Sequence, residues 1–248
     1  MCSSDLAYAK ATAKGQNVQK PADAAQKAGA PSPGTSNPAS TPTPPAAPKS
    51  GSPIAVAPTP TPSPAAKPAA SGTILTNVFV TAYTFFDNTP PGSATIAFPK
   101  SAGYPTLRNL AGGTGTHADP ITLAVGHVIS GGKDTPDFAP GTRFYFPHIR
   151  KYAIVEDTCG DGGAPQNVPC HSLSTAQRGA TLWLDLWIGG SAGDSSGTVQ
   201  ACANTVTNLY TVVKDPSANY AVHAGPVFQN GYCIQPGNKS FGNTLVTL

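Results

Sequence analysis

Between Leu182 and Ile188 the chain reads Leu-Trp-Leu-Asp-Leu-Trp-Ile, an unbroken alternation with a period of two. In a strand, successive side chains project to opposite faces. Leu182, Leu184, Leu186 and Ile188 therefore share a face suited to a core, while Trp183, Asp185 and Trp187 share the other. A strand over Thr181–Ile188 is expected on this pattern. Ile74–Phe86 is rich in β-branched and aromatic residues, has no internal Gly or Pro, and runs into the turn chemistry of DNTPPGS. It reads as a strand, as do Ala94–Pro99, Ile121–Ile129, Arg143–Pro147 and Lys151–Asp157. Ala201–Pro216 adds one or two more, and the tail carries late strands. One helix is expected at Ser172–Gly179, capped by Ser174 or Thr175 and stopped by Gly179. Six to eight short strands with long, uneven connections suit a small β-barrel with one inserted helix better than a sandwich.

Residues 1–73 follow no such pattern. They are built from Pro, Ala, Thr, Ser and Lys, with TPTPPAAP and APTPTPSPAAKP as near-repeats and Tyr8 as their one aromatic residue. Such a segment buries too little apolar surface to offset its ordering entropy, so a disordered, extended spacer open to O-glycosylation is expected. The folded domain is then residues 74–248. This division changes the meaning of the net charge of +3. Six lysines against Asp5 and Asp23 give the spacer +4, which leaves the domain near −1. Nucleic-acid binding needs clustered Lys and Arg on the fold, and that cluster is missing. No run of eighteen apolar residues occurs, so no membrane span is expected.

Cysteines stand at positions 2, 159, 170, 202 and 233. The last four allow three pairings; Cys159–Cys170 and Cys202–Cys233 are favoured because each clips one Gly/Asn-rich excursion. Two disulfides imply an oxidising compartment, hence a secreted protein. MCSSDLAYAK lacks the apolar core of a signal peptide, so secretion requires a leader upstream of the given start, and Cys2 lacks a lipobox. Neither CxxC nor HxxxH spacing occurs, and His117, His127, His148, His171 and His223 form no metal-like pair; His117 lies two residues before Asp119. No metal site is expected. A nucleophile elbow, a P-loop and a dinucleotide fingerprint are all absent, so no cofactor is expected.

The chemistry falls on carboxylates. Apolar flanks disfavour ionisation, so Asp185 between two indoles suits a general acid, and indoles stack on sugar faces. The structural alternative is an Asp185 that accepts backbone hydrogen bonds at a chain crossing. Asp157 closes its strand as a second carboxylate or a turn cap, with Glu156 on the opposite face; Asp161 reads as a turn residue. Paired carboxylates cleave glycosidic bonds only at a set separation.

The order ADPITLAV, PGTRFYF, KYAIVEDTCGDGG, LWLDLWIGG resembles the three-aspartate (3D) domain over Thr116–Gly190. That resemblance implies a six-stranded double-psi β-barrel, as in MltA-type lytic transglycosylases, expansins and family-45 glycoside hydrolases. It carries over Asp119, Asp157 and Asp185, with Asp185 at the position of the hydrolases' acid. VTAYTFF looks like the first strand of those folds, which makes Tyr83 a groove candidate. A Gly-Thr-x-x-Asp-Pro loop and a Glu-Asp-x-Cys turn are similar to those of small secreted proteins. Two departures stand out: a cysteine-bounded loop replaces the Gly-Gly-Ala-Ile-Lys-Gly segment, and the hydrolases' base has no clean counterpart, Asp87 falling at the wrong spacing. The expectation is a monomeric secreted protein acting on a polysaccharide such as peptidoglycan, cellulose or chitin. Asp185 and Asp157 would be catalytic, and Tyr83, Trp183, Trp187 and Asp119 would bind substrate. A non-catalytic expansin- or barwin-like glycan binder and a secreted interaction protein with structural aspartates are the alternatives.

Overall fold

The computed structural model describes residues 72–160, 162–233 and 241–248. The expected spacer lies outside them but for Gly72 and Thr73, and so does Asp161. In chain order the elements are β1 (Thr73–Tyr83), β2 (Ile121–Val125), β3 (His127–Ser130), β4 (Lys133–Pro136), β5 (Arg143–Phe146), β6 (Lys151–Thr158), β7 (Leu182–Trp187), α1 (Ser196–Val206), β8 (Asn208–Lys214), β9 (Phe228–Gln229) and β10 (Tyr232–Cys233). Six strands close a barrel in the order β1-β7-β2-β6-β5-β8, with β8 returning to β1. The β1–β7 and β2–β6 pairs are parallel and the other four antiparallel, so the barrel is mixed. Among the described residues, the expected mainly β barrel with one α-helix is the fold.

Alternation along each strand fills the barrel. Val78, Val80, Leu123, Val125, Phe144, Phe146, Val155, Leu184, Leu186 and Val212 are fully buried and belong to one apolar cluster. Each such side chain contributes about 1.5–3 kcal/mol by leaving water. Truncating Leu184 to Ala would cost about 2–5 kcal/mol, because the surrounding ring closes only partly over the hole. A second cluster, Tyr145, Tyr152, Val213 and Tyr220, lies on the outside of β5, β6 and β8, where Val222 and Leu245 cover it.

The helix is not where the sequence placed it. Ser172–Gly179 forms successive tight turns, with Thr175 N donating to Ser172 O and Ala176 N to Leu173 O. Leu173 is its one large apolar residue and is exposed, so no apolar face exists to hold a helix against the barrel. The helix is instead α1, inside the region read partly as strand. Its buried residues Val199, Cys202, Ala203 and Val206 follow the i, i+3, i+4, i+7 spacing of one helical face. Ala94–Pro99 joins no sheet either: Ala97 N is bound to the Asp157 carboxylate and Phe98 N to Glu156 O, so this segment crosses the end of β6. Ile121–Ile129 breaks at Gly126 into β2 and β3. The Ser130–Lys133 pair then leaves a two-residue turn of Gly131 and Gly132, both with positive φ, which forms a hairpin where a long turn was expected.

Both disulfides pair as expected. Cys159–Cys170 closes the loop after β6, and Cys202–Cys233 ties α1 to β10, with Cα separations of 5.8 and 5.3 Å. Among the described residues no helix is long and apolar enough to cross a membrane.

Candidate functional site

Strand register assembles the site. Thr81 of β1 is the Cα partner of Asp185 in β7, Asp185 is that of Ala124 in β2, and Ala124 is that of Asp157 in β6. Paired residues point to the same side of a sheet. Their neighbours Val80, Leu184, Leu123 and Val155 fill the barrel, so this row of four faces outward. A bulge in β6 makes the row possible. Leu123 pairs with Val155 and Ala124 with Asp157, leaving Glu156 as the extra residue. The bulge also corrects one expectation: Glu156 does not lie opposite Asp157, but reaches Thr122 Oγ1 on the outward side of β2.

Asp185 is half-buried. Thr81 Oγ1 donates to its Oδ1 at 2.6 Å, and Trp183 Nε1 donates to Thr81 Oγ1 at 2.8 Å. The carboxyl also lies within 4.8 Å of the sulfurs of Cys159 and Cys170, which are bonded to each other and so do not act as metal ligands. Burial pushes the Asp185 carboxyl up to about 7; the Thr81 hydrogen bond works against this, while the charges of Asp87 and Asp157 add to it.

Asp157 is held on both oxygens. Tyr83 Oη donates to Oδ2 at 2.9 Å, and the N–H groups of Ala97 and Thr158 donate to Oδ1, each at 2.9 Å. Burial first, then the Asp157 charge and hydrogen bond, raise the Tyr83 hydroxyl well above the usual tyrosine range, so it stays a donor. Tyr83 packs edge-on to Trp187 at 5.2 Å, and Trp183 tilts against Phe79 at 5.0 Å. Tyr83, Trp183 and Trp187 are only 8 %, 8 % and 6 % exposed, so little ring surface is open to a ligand.

Asp119, the third aspartate, belongs to a different network. It accepts the Arg108 guanidinium, Thr114 N at 2.9 Å and Thr114 Oγ1 at 2.8 Å. Burial acts upward on its carboxyl, but these donors outweigh it and hold it below the usual range. Arg108 also binds the fully buried Glu156 at 3.2 Å, and Glu156 accepts Leu107 N and Thr122 Oγ1 at 2.9 and 2.6 Å. This network fixes the 107–122 loop to the barrel beside the acidic row. His117 sits on the same loop, edge-on to Tyr152 at 5.1 Å.

Two groups near the row, Asp87 and His171, are not among the site residues expected from the sequence. Asp87, exposed in the turn after β1, accepts Thr84 N and Oγ1 at 2.6 and 2.7 Å and is close enough to raise the Asp185 pKa. His171 pairs with Asp137 beside the Cys159–Cys170 bridge. The sequence signals were slight: one acidic residue in a turn, and a His next to a bridged Cys.

The family model of the DDB_G0273701 N-terminal domain matches residues 75–234, which takes in every residue of the acidic row. The chain belongs to this family. A relative from Dictyostelium discoideum, called uncharacterized protein DDB_G0273701/DDB_G0273221, is 31% identical over 175 residues, covering 66% of this chain and 65% of that protein. The matched part of this DDB_G0273701-type chain thus spans just under two thirds of the relative's length. No solved structure matches the chain.

Proposed function

We propose that this protein is a secreted, polysaccharide-active protein that cleaves glycosidic bonds by acid catalysis from Asp185. One observation carries this reading: a half-buried carboxyl, pushed up to about 7 by burial, stands on the outer face of a closed barrel. A group with that affinity holds a proton near neutral pH and can give it to a leaving oxygen. The closed barrel with two parallel pairs is compatible with a double-psi β-barrel of the kind the 3D domain, lytic transglycosylases and expansins share. Two disulfides favour an oxidising, extracellular setting. Peptidoglycan, cellulose or chitin is the substrate class, met by a monomer without a cofactor. Asp157 adds negative charge beside Asp185 and holds Tyr83, whose edge shapes the wall with Trp187; Asp119 supports the 107–122 loop. Reducing-end release from the three polymers tests this: wild type releases ends and Asp185→Asn does not.

Asp157's full set of donors supports a second reading, a non-catalytic glycan binder of expansin or barwin type. In that case the polymers retain the protein without release, and Asp185→Asn weakens retention. If Asp185→Asn changes neither release nor retention, the aspartates are structural and the protein is a secreted interaction module.

A further inference from the structure

Acid-catalysed hydrolysis needs a second group to take a proton from the attacking water. Asp157 is poorly suited, since donors occupy both its oxygens. The outward side of β2 leads to a better one. Two residues beyond Ala124, Gly126 lies beneath Asp137, Cys170 and His171. A Cβ there would stand 2.6 Å from Asp137 Oδ2, 2.8 Å from Cys170 O and 2.8 Å from His171 Cβ. Only glycine leaves room for this approach, so the strand itself fixes where His171 sits. His171 Nδ1 lies 2.9 Å from Asp137 Oδ1. A carboxylate at that distance keeps the ring proton on Nδ1, and the lone pair then falls on Nε2. The His171 side chain is 31% exposed, within reach of water. Cys170, its chain neighbour, has its sulfur within 4.8 Å of the Asp185 carboxyl. Inverting glycosidases keep acid and base roughly 6.5–9.5 Å apart, which leaves room for the attacking water between them.

We propose that His171, oriented by Asp137, is the base of a hydrolytic, inverting cleavage in which Asp185 is the acid; the inference rests on the acid role assigned to Asp185 above. Nε2 takes a proton from water as the water oxygen bonds to the anomeric carbon. The Asp185 carboxyl gives its proton to the glycosidic oxygen, which leaves with the bonding electron pair. His171 ends as imidazolium, stabilised by Asp137, and Asp185 ends as carboxylate; solvent returns both to their starting states. Asp87 is the competing base. It lies past the end of β1, on the Trp187 side of Asp185, because Tyr83 pairs with Trp187 in parallel strands.

The full-length protein is assayed on soluble oligomers of cellulose, chitin and peptidoglycan, with the product anomer followed by NMR. On the oligomer cleaved, His171→Ala should lower kcat roughly 100- to 10,000-fold, leave KM within about threefold, keep the wild-type melting curve, and regain turnover with added imidazole. His171→Gln, which keeps bulk and polarity, should behave alike, and wild type should give the inverted anomer. The inference fails if Asp185→Asn abolishes turnover while His171→Ala and His171→Gln do not; Asp185 then remains the acid. It fails equally if Asp87→Asn gives the imidazole-insensitive loss expected of the base, or if the product is an anhydro sugar or retains its configuration. If wild type cleaves none of the oligomers, both this inference and the acid role of Asp185 fall.

Discussion

Asp185→Asn separates the energetics of the site from its chemistry. An unfolded aspartate titrates near 3.9, whereas burial, helped by the nearby charges of Asp87 and Asp157, pushes folded Asp185 up to about 7 against the Thr81 hydrogen bond. Between these values the folded state holds a proton that the unfolded state has released. Stability therefore falls as pH rises from about 4 to about 7, and the loss levels off above 7, where both states are ionised. A difference of about 3 pKa units corresponds to about 4 kcal/mol, an upper figure because the group is not fully buried. Asparagine has nearly the same shape, stays neutral at every pH, and its Oδ1 can still accept the Thr81 hydroxyl, which donates to Asp185 at 2.6 Å. Urea unfolding of both proteins from pH 4 to pH 8 isolates this group from all others. The two should agree within about 1 kcal/mol at pH 4, and the variant should be the more stable at pH 8 by up to about 4 kcal/mol. Parallel curves across the range would show that the carboxyl is ionised throughout and would remove the basis for its acid role.

Other outcomes follow from the same contacts. Glu156→Ala leaves the Arg108 guanidinium and two backbone N–H groups without their buried acceptor, and should cost about 3–5 kcal/mol in urea unfolding. Tyr83→Phe removes one donor from Asp157 and should cost about 1–3 kcal/mol, with near-UV dichroism unchanged because the Trp187 contact remains. Removing Cys202–Cys233, whose ends are 31 positions apart in sequence, should cost about 4 kcal/mol, against about 3 for Cys159–Cys170, 11 apart, on loop-entropy grounds. Peptide mapping should recover those two bridges; a Cys159–Cys202 linkage would overturn the described connectivity.

What the sequence made legible was whatever alternation encodes. Leu-Trp-Leu-Asp-Leu-Trp-Ile sorted its residues onto inner and outer faces correctly because β7 runs straight between two partners. The same logic failed at Glu156, since a bulge inserts one residue and changes the phase, and a bulge depends on pairing partners far along the chain. Ser172–Gly179 had a cap and a stop but nothing to pack, whereas α1 had a packing face that the Ala-Cys-Ala-Asn run obscured. Gly131-Gly132 between short polar flanks was a hairpin signal that could have been read. The acidic row itself was half visible: Asp157 and Asp185 could be named, but that both flank Ala124 is a fact of register.

The two parallel pairs have a consequence for how the protein can be handled. Thr81 meets Asp185 across 104 residues of chain. Local contacts supply little of the barrel, so the ring must gain its long-range pairings together, and slow, concerted folding is expected. No contiguous fragment ending before β7 can contain the site, and a library of truncations will yield pieces without it until β1, β2, β6 and β7 are all present. Splitting the gene within the 188–195 connection, after β7, keeps those four strands in one piece but leaves β8 to be supplied in trans. Return of the Asp185 environment on adding that second piece would then report closure of the ring, which turns the carboxyl into a sensor of its own assembly.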